Sequence, residues 1–190
     1  MEGFALTLIG AAIFSHAWYL LGLYSDGRTV GILMAALASA LLITLTFEPQ
    51  LLGLQGADGA QKLGEVTMMK TLIVLWAAYA GAVAAQGWWD LEERAIGFYA
   101  AALTVGSVVA LIYFATQIAE HNDLPGVDAV DVTVSLTAVT GILSIVGATL
   151  FFYMAIPFYG LRIVAGWFSL VGSIGIIAVG LAIITTLISY

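Results

Sequence analysis

The sequence has no cysteine and very few charges. Because cysteine is absent from all 190 residues, disulfides, thiolate nucleophiles, iron–sulfur clusters and cysteine zinc sites are excluded. Charged residues make up 9% of the chain, five basic and twelve acidic, whereas soluble domains average about 25%. Apolar residues make up 62%, against roughly 45–50% in soluble domains. This composition excludes soluble enzymes, disordered chains and nucleic-acid-binding proteins, and it indicates a polytopic membrane protein with lipid as a partner.

Long apolar runs account for most of the chain. A bilayer core about 30 Å thick is crossed by about 20 mostly apolar residues in a helix. Six runs meet this requirement: Phe4–Tyr24, Thr29–Phe47, Thr71–Gln86, Ala95–Gln117, Val132–Ile156 and Ile163–Ser189. The third is short unless Met68–Lys70 joins it. The alternating pattern of a membrane β-barrel is not seen, and the acidic Glu2 argues against a signal peptide. We therefore predict an all-α membrane protein whose residues 1–190 form a single six-helix transmembrane domain.

The loops between these runs are of two kinds. Three short ones each contain an arginine: Ser25–Arg28, Gly87–Arg94 and Pro157–Arg162. Two longer ones, Glu48–Thr67 and Ile118–Asp131, are acidic. The positive-inside rule places the arginine loops in the cytoplasm and both chain termini outside. The acids of the second long loop lack the spacing of a calcium-binding EF-hand, so we expect no metal there.

The three arginine loops indicate an internal repeat. Arg28, Arg94 and Arg162 are spaced by 66 and 68 residues. Each is followed two residues later by Val or Ile and then by Gly or Ala. A near-constant period indicates a repeated unit, here a helical hairpin. We predict three hairpins, at about 4–47, 68–117 and 132–189, around a quasi-threefold axis. The alternative is that short cytoplasmic turns generally contain arginine and membrane helices generally contain small residues.

The predicted spans contain few polar groups that could carry chemistry. His16 is the one ionisable residue deep in a span. An intramembrane ionisable group indicates function, although a neutral histidine bonded to Ser15 or to a neighbouring helix is an equal alternative. With no buried lysine or carboxylate, and with His121 predicted in a loop, retinal, haem and proton-pump sites are not expected. We predict no cofactor, no metal site and no enzymatic activity.

Two sets of side chains are candidates to line a path. Thr133, Thr137, Thr140 and Ser144 recur at the spacing of one helix face. Such hydroxyls either line a polar route or join packed helices. Trp76, Tyr79 and Trp167 lie deeper than the aromatic belt expected near the membrane interface, and their rings could form flat walls of a narrow pore.

Three local motifs carry a family resemblance: the segment Gly10–His16 in the first span, Gln86 at the end of the third, and the pair Phe98-Tyr99 at the start of the fourth. With them the chain resembles the AmiS/UreI family of amide transporters and urea channels. His16 stands at the Asn/Asp position of the family's first-helix motif, Gln86 where the family has an Asn that closes the third helix, and Phe98-Tyr99 at the aromatic pair that opens the fourth. The chain departs from the family in its fifth span, which contains no tryptophan, and at Val171-Gly172, where the family carries a glutamate followed by glycine.

The resemblance implies a homo-hexameric channel in a prokaryotic plasma membrane, with one pore in each protomer. From it and the residues above we predict a facilitative channel, uncoupled to ions, for small neutral polar solutes such as urea or short amides. The candidate pore-lining residues are His16, Trp76, Tyr79, Gln86, Tyr99, Thr137, Thr140, Ser144 and Trp167. The alternative is a non-catalytic structural subunit or scaffold of a membrane complex, since the family's filter residues are replaced and small residues suited to packing are frequent.

Overall fold

The structure, a computed structural model, describes residues 2–23, 26–46, 59–121, 130–156 and 158–185. Over these ranges it is built from α-helices with no β-strand: α1 (Glu2–Leu21), α2 (Gly27–Thr46), α3 (Gly59–Trp89), α4 (Glu93–His121), α5 (Val130–Ala155) and α6 (Tyr159–Ile184). All six are long and apolar enough to cross a membrane. This agrees with the prediction of an all-helical, multi-pass transmembrane protein.

The helices extend beyond several of the predicted spans. α3 begins at Gly59 rather than near Thr71, and α4 continues to His121 instead of ending at Gln117. Hydropathy misses these extensions because polar residues such as Gln and Glu form helices readily without being apolar. Some of the predictions fall outside the described residues. They are the ends of three predicted spans, Tyr24, Phe47 and Ser189, and most of the two acidic loops, around Glu48 and around Asp123 and Asp128.

The three arginines lie inside helices and not in turns. Arg28, Arg94 and Arg162 each fall in the first turn of the helix that follows the short loop. The second loop is correspondingly shorter than predicted and is reduced to residues 90–92. We call this end of the bundle, where the odd-numbered helices end and the even-numbered helices begin, the arginine end.

The helices form a closed ring in chain order. Each helix packs against the one before and the one after it, α6 closes the ring by packing against α1, and α1 also touches α3. The most extensive contacts join α1 with α6, α4 with α5, and α2 with α3. The two helices of each predicted hairpin contact each other less extensively.

Small residues bring the extensively packed pairs close together. A Cβ atom added at Gly180 in α6 would lie 2.7 Å from the carbonyl oxygen of Gly3 in α1. A Cβ atom added at Gly31 in α2 would lie 3.1 Å from the carbonyl oxygen of Ala84 in α3, and one at Gly147 in α5 would lie 2.8 Å from Oγ1 of Thr104 in α4. In a membrane, where apolar burial alone gives little, backbones that approach this closely would gain van der Waals contact.

The odd-numbered helices are more buried than the even-numbered ones. Half of the spanning residues of α1 and of α3 are buried, and 44% of those of α5. The corresponding fractions are 33% for α2, 33% for α4 and 28% for α6. The bundle therefore has an inner set of helices, α1, α3 and α5, and an outer set, and polar groups on the inner set are held inside the protein.

Candidate functional site

A group of polar and aromatic side chains lies inside the bundle between α1 and α3. The imidazole Nδ1 of His16 and the phenol oxygen of Tyr79 are 2.7 Å apart and hydrogen-bonded, with the donor set by the histidine tautomer. The ring of Trp76 packs edge-on against Tyr79, with centroids 5.6 Å apart. All three side chains are almost completely buried. We call these three residues the inner cluster.

The inner cluster continues toward the arginine end through Tyr19. The Tyr19 ring lies parallel to the imidazole of His16 at 6.1 Å. The guanidinium group of Arg162 lies 5.2 Å from the centroid of the same ring. A cation over an aromatic face is attracted by the ring quadrupole, so the first turn of α6 fixes a side chain of α1.

Arg162 also binds the last turn of α1. Its Nε and Nη2 atoms each donate a 3.2 Å hydrogen bond, to the carbonyl oxygens of Leu20 and Tyr19 respectively. The last turn of a helix leaves carbonyl oxygens without partners inside the helix. Here the Tyr19 carbonyl oxygen also accepts a 3.1 Å hydrogen bond from the backbone N–H of Gly22. The cation also lies at the negative end of the α1 dipole, which is favourable. Arg162 thereby joins the first helix of the chain to the last.

A second polar group forms at the arginine end from α3, α4 and α5. Gln86 donates a 3.1 Å hydrogen bond from Nε2 to Oε1 of Glu93, and the hydroxyl of Tyr153 donates to Oε2 of the same carboxylate. Gln86 and Tyr153 are buried, and Glu93 is half-buried. Glu93 is the first residue of α4, where a carboxylate is stabilised by the helix dipole. We call these three residues the carboxylate cluster.

A pocket at the arginine end lies beside both clusters. It has a volume of about 60 Å³, which is room for more than one water molecule, and lies among α1, α2, α3 and the residue after α3. Its polar lining comes from Tyr19, Gln86 and Asp90, and the rest of the wall is formed by Gly27, Val30, Val83 and Gly87. Gln86 belongs to the carboxylate cluster, and Tyr19 stacks on His16, so the pocket borders the carboxylate cluster and is one contact away from the inner cluster.

The structure brings together three of the nine predicted pore-lining residues, His16, Trp76 and Tyr79, in the inner cluster. It places a fourth, Gln86, in the separate carboxylate cluster. Tyr99 is half-buried and donates a 2.9 Å hydrogen bond to the carbonyl oxygen of Leu75, which joins α4 to α3.

The predicted hydroxyl face of α5 is directed back at its own helix. Thr137 donates to the carbonyl oxygen of Thr133, Thr140 to that of Leu136, and Ser144 to that of Thr140. Thr140 and Ser144 are buried and Thr137 is partly buried. Each hydroxyl oxygen keeps acceptor capacity after this bond. Trp167 is 54% exposed and belongs to neither cluster.

The sequence interpretation missed four members of the site: Tyr19, Glu93, Tyr153 and Arg162. Glu93 and Arg162 lie in segments predicted to be loops, and the two tyrosines lie in predicted spans but were not among the candidate residues. The repeat contained a signal for the tyrosines, because Tyr19 and Tyr153 each lie nine residues before an arginine of the repeat. The matching position in the remaining repeat is Ala85, beside Gln86.

Three buried polar atoms of the described residues have no hydrogen-bond partner: Trp76 Nε1, Ser107 Oγ and Ser169 Oγ. An unpaired buried donor is costly, so such atoms mark places where a water or a solute atom would be bound favourably. Trp76 belongs to the inner cluster, so this cluster has a free donor as well as a hydrogen-bonded pair.

Neither cluster has the ligand set of a metal site. No group of three or more His, Asp or Glu side chains is assembled within the described part of the chain. No protein-family model, curated protein or solved structure matches the sequence or the fold.

Proposed function

We propose that the protein is a facilitative channel for small neutral polar solutes. The observation that carries this proposal is the pocket at the arginine end, whose polar side chains contact both internal clusters. A solute in the pocket would meet the Tyr19 ring and the Gln86 amide first, then the imidazole, phenol and indole of the inner cluster. These groups donate and accept hydrogen bonds without requiring a charged solute.

The hydrogen-bonding groups of the inner cluster suit the passage of a small polar solute and not its tight binding. Trp76 Nε1 is a free donor, and the hydrogen bond between His16 and Tyr79 could be exchanged for bonds to a passing solute. Conduction requires sites that are favourable enough to enter and weak enough to leave. Urea and short amides, which carry both donors and acceptors, are the solutes that we expect.

We also propose that the bundle is a quasi-threefold arrangement of repeated units. Three equivalent contacts support it: Gly31, Gly97 and Gly166, each three or four residues after a repeat arginine, meet the ends of α3, α5 and α1 respectively. The alternation of inner and outer helices has the same symmetry. In this proposal the chain lies in a prokaryotic plasma membrane with both termini outside, and it assembles as a homo-oligomer, a hexamer by resemblance to the AmiS/UreI family.

The test is solute-driven swelling of proteoliposomes that contain the purified protein. Urea, acetamide and glycerol are each compared with empty liposomes by light scattering after rapid mixing. We expect faster swelling for at least one of the three solutes. Equal rates for all three in loaded and empty liposomes would contradict a channel.

Two matched variants of α3 test whether the solute flux passes through the pocket. Val83 is buried and lines the pocket, whereas Val74 on the same helix is 46% exposed. Val83→Trp would fill the pocket and should reduce the flux severalfold. Val74→Trp makes the same change on the outer surface and should leave the flux unchanged.

A non-catalytic structural subunit is the second candidate, and one observation favours it. The large side chains Trp76, Tyr79 and Phe114 are each less than 2% exposed, which is the packing of a filled interior. Purification from native membranes in mild detergent separates the two proposals. A homo-oligomer that conducts supports the channel, and stoichiometric unlike subunits with no conduction support the scaffold.

A further inference from the structure

We propose that Glu93 excludes anions from the solute pathway, so that the pathway admits neutral solutes that donate hydrogen bonds. This inference rests on the channel proposed above and concerns which solutes pass through it. Glu93, a carboxylate at the arginine end, would then determine which solutes enter the pathway.

The position of Glu93 distinguishes it from the neighbouring acid. Its carboxylate joins Gln86, which lines the pocket, to Tyr153, which is buried behind it. Glu92, the preceding residue, is 73% exposed and pairs with Arg94 at 3.4 Å on the surface. The two acids therefore carry the same charge at adjacent positions, but only Glu93 is in contact with the site.

The carboxylate of Glu93 has acceptor capacity left for a solute. An ionised carboxylate offers about four lone-pair positions. Gln86 Nε2 and the Tyr153 hydroxyl account for two bonds. A solute with N–H or O–H groups can donate to the remaining positions, whereas an anion has nothing to donate and is repelled.

Arg162, the half-buried cation of the arginine end, does not cancel the effect. Its guanidinium group binds the carbonyl oxygens of Tyr19 and Leu20 and covers the Tyr19 ring. Its charge is opposed there by the negative end of the α1 dipole. Asp90, which lines the pocket, adds a second negative charge on the solute side.

Urea and nitrate are suitable probes because both are small and planar, and nitrate stays ionised at any working pH. Swelling of proteoliposomes is measured in urea and in potassium nitrate with valinomycin, which lets potassium follow the anion. The wild-type protein should pass urea and keep nitrate at the rate of empty liposomes. Glu93→Gln keeps the shape and removes the charge. It should raise nitrate flux on the order of tenfold, a factor between the effect of a unit charge about 4 Å away in water and its effect near a protein surface.

Glu92→Gln is the matched control, because it makes the same charge change on the surface and should leave nitrate excluded. If Glu93→Gln folds poorly, Glu93→Met combined with Tyr153→Phe removes the charge and its donor together, and nitrate flux should again rise.

The outcomes separate the two proposals. A wild-type protein that passes urea, with charge-removing variants at Glu93 that fold and still exclude nitrate, would overturn the role of Glu93 and leave the channel standing. Equal passage of urea and nitrate by the wild type would overturn anion exclusion itself. Passage of neither by the wild type, with acetamide and glycerol also excluded, would contradict the channel.

Discussion

At the scale of single residues, the interior of the described bundle depends on a few buried polar contacts. His16 and Tyr79 are bonded at 2.7 Å, and both are nearly completely buried. If one partner is removed, the other keeps the full cost of its burial, which exceeds the net gain from forming the bond. The clusters are therefore sensitive to changes of a single atom.

Tyr79→Phe tests this sensitivity by removing one oxygen atom. The loss should destabilise the protein by about 1–3 kcal/mol, because Nδ1 of His16 is left unpaired. Thermal unfolding in detergent measures the change. Tyr159→Phe is the matched control, since Tyr159 is 75% exposed and should lose almost nothing. Equal unfolding temperatures for the two variants would show that the buried bond contributes no more than a surface hydroxyl.

The repeat arginines provide a second test at this scale, because equivalent positions have different partners. Arg162→Gln removes the charged donor to two carbonyl oxygens and should cost about 1.5–3 kcal/mol. Arg94→Gln removes an exposed pair with Glu92 and should cost about 0–1 kcal/mol. Unfolding of both variants under identical conditions is the measurement. A larger effect at Arg94 would contradict the role of Arg162 in joining α1 to α6.

At the scale of helices, stability depends on how closely backbones approach. The most extensively packed pairs are not linked by the short loops, and two of these pairs meet through glycines on both helices. In α1 and α6, Gly3 lies against Gly180, and in α2 and α3, Gly31 lies against Gly87. Close approach is the main source of helix association in lipid, so these positions determine which helices become neighbours.

Gly180→Ala and Gly81→Ala make the same change in two helices. We expect the first to lower the free energy of unfolding and the second to raise it. An added Cβ at Gly180 would lie 2.7 Å from a backbone oxygen of α1, so α1 and α6 must separate, at a cost of about 1–3 kcal/mol. Gly81 has no atom within 4 Å of the added Cβ. Alanine there should stabilise α3 by up to about 1 kcal/mol through its higher helix propensity. A stabilising Gly180→Ala would show that α1 and α6 do not pack as described.

At the scale of the whole molecule, the ring is closed by contact between the two ends of the chain. α1 and α6 are the first and last helices, and their packing is among the most extensive in the bundle. No short loop holds them together, so side-chain and backbone contacts alone maintain the closure. The inner cluster depends on it, because Arg162 in α6 fixes Tyr19 against His16.

A disulfide cross-link tests the closure directly, since the chain has no native cysteine. A Cβ added at Gly166 would lie 3.4 Å from Cβ of Leu20, close to the usual separation of about 3.5–4.5 Å in a disulfide. Leu20→Cys with Gly166→Cys should therefore cross-link within one chain on oxidation. Leu20→Cys with Gly106→Cys joins α1 and α4, which are not neighbours, and should stay reduced. Electrophoretic mobility with and without reductant gives the readout, and cross-linking of only the second pair would contradict the ring order.

Some of this protein follows from sequence alone. Hydropathy located six helices, because every span must satisfy its own backbone hydrogen bonds and present apolar side chains to lipid. The ends of the same apolar runs located the short loops to within a few residues, with each arginine in the first turn of the helix that follows. His16 and Tyr79 could be singled out as candidates, since polar groups are conspicuous in an apolar span.

The tertiary structure decided which of these residues meet. Hydropathy does not specify helix rotation, which is set by packing against neighbouring helices. It therefore could not show that Tyr79 faces His16, that Trp167 is exposed, or that Arg162 binds α1. Glu93 was placed in a loop because it is charged, and only the packing of α3, α4 and α5 reveals the donors that hold it inside. The sequence by itself determined which groups are polar, and the contacts between helices determined which polar groups can act together.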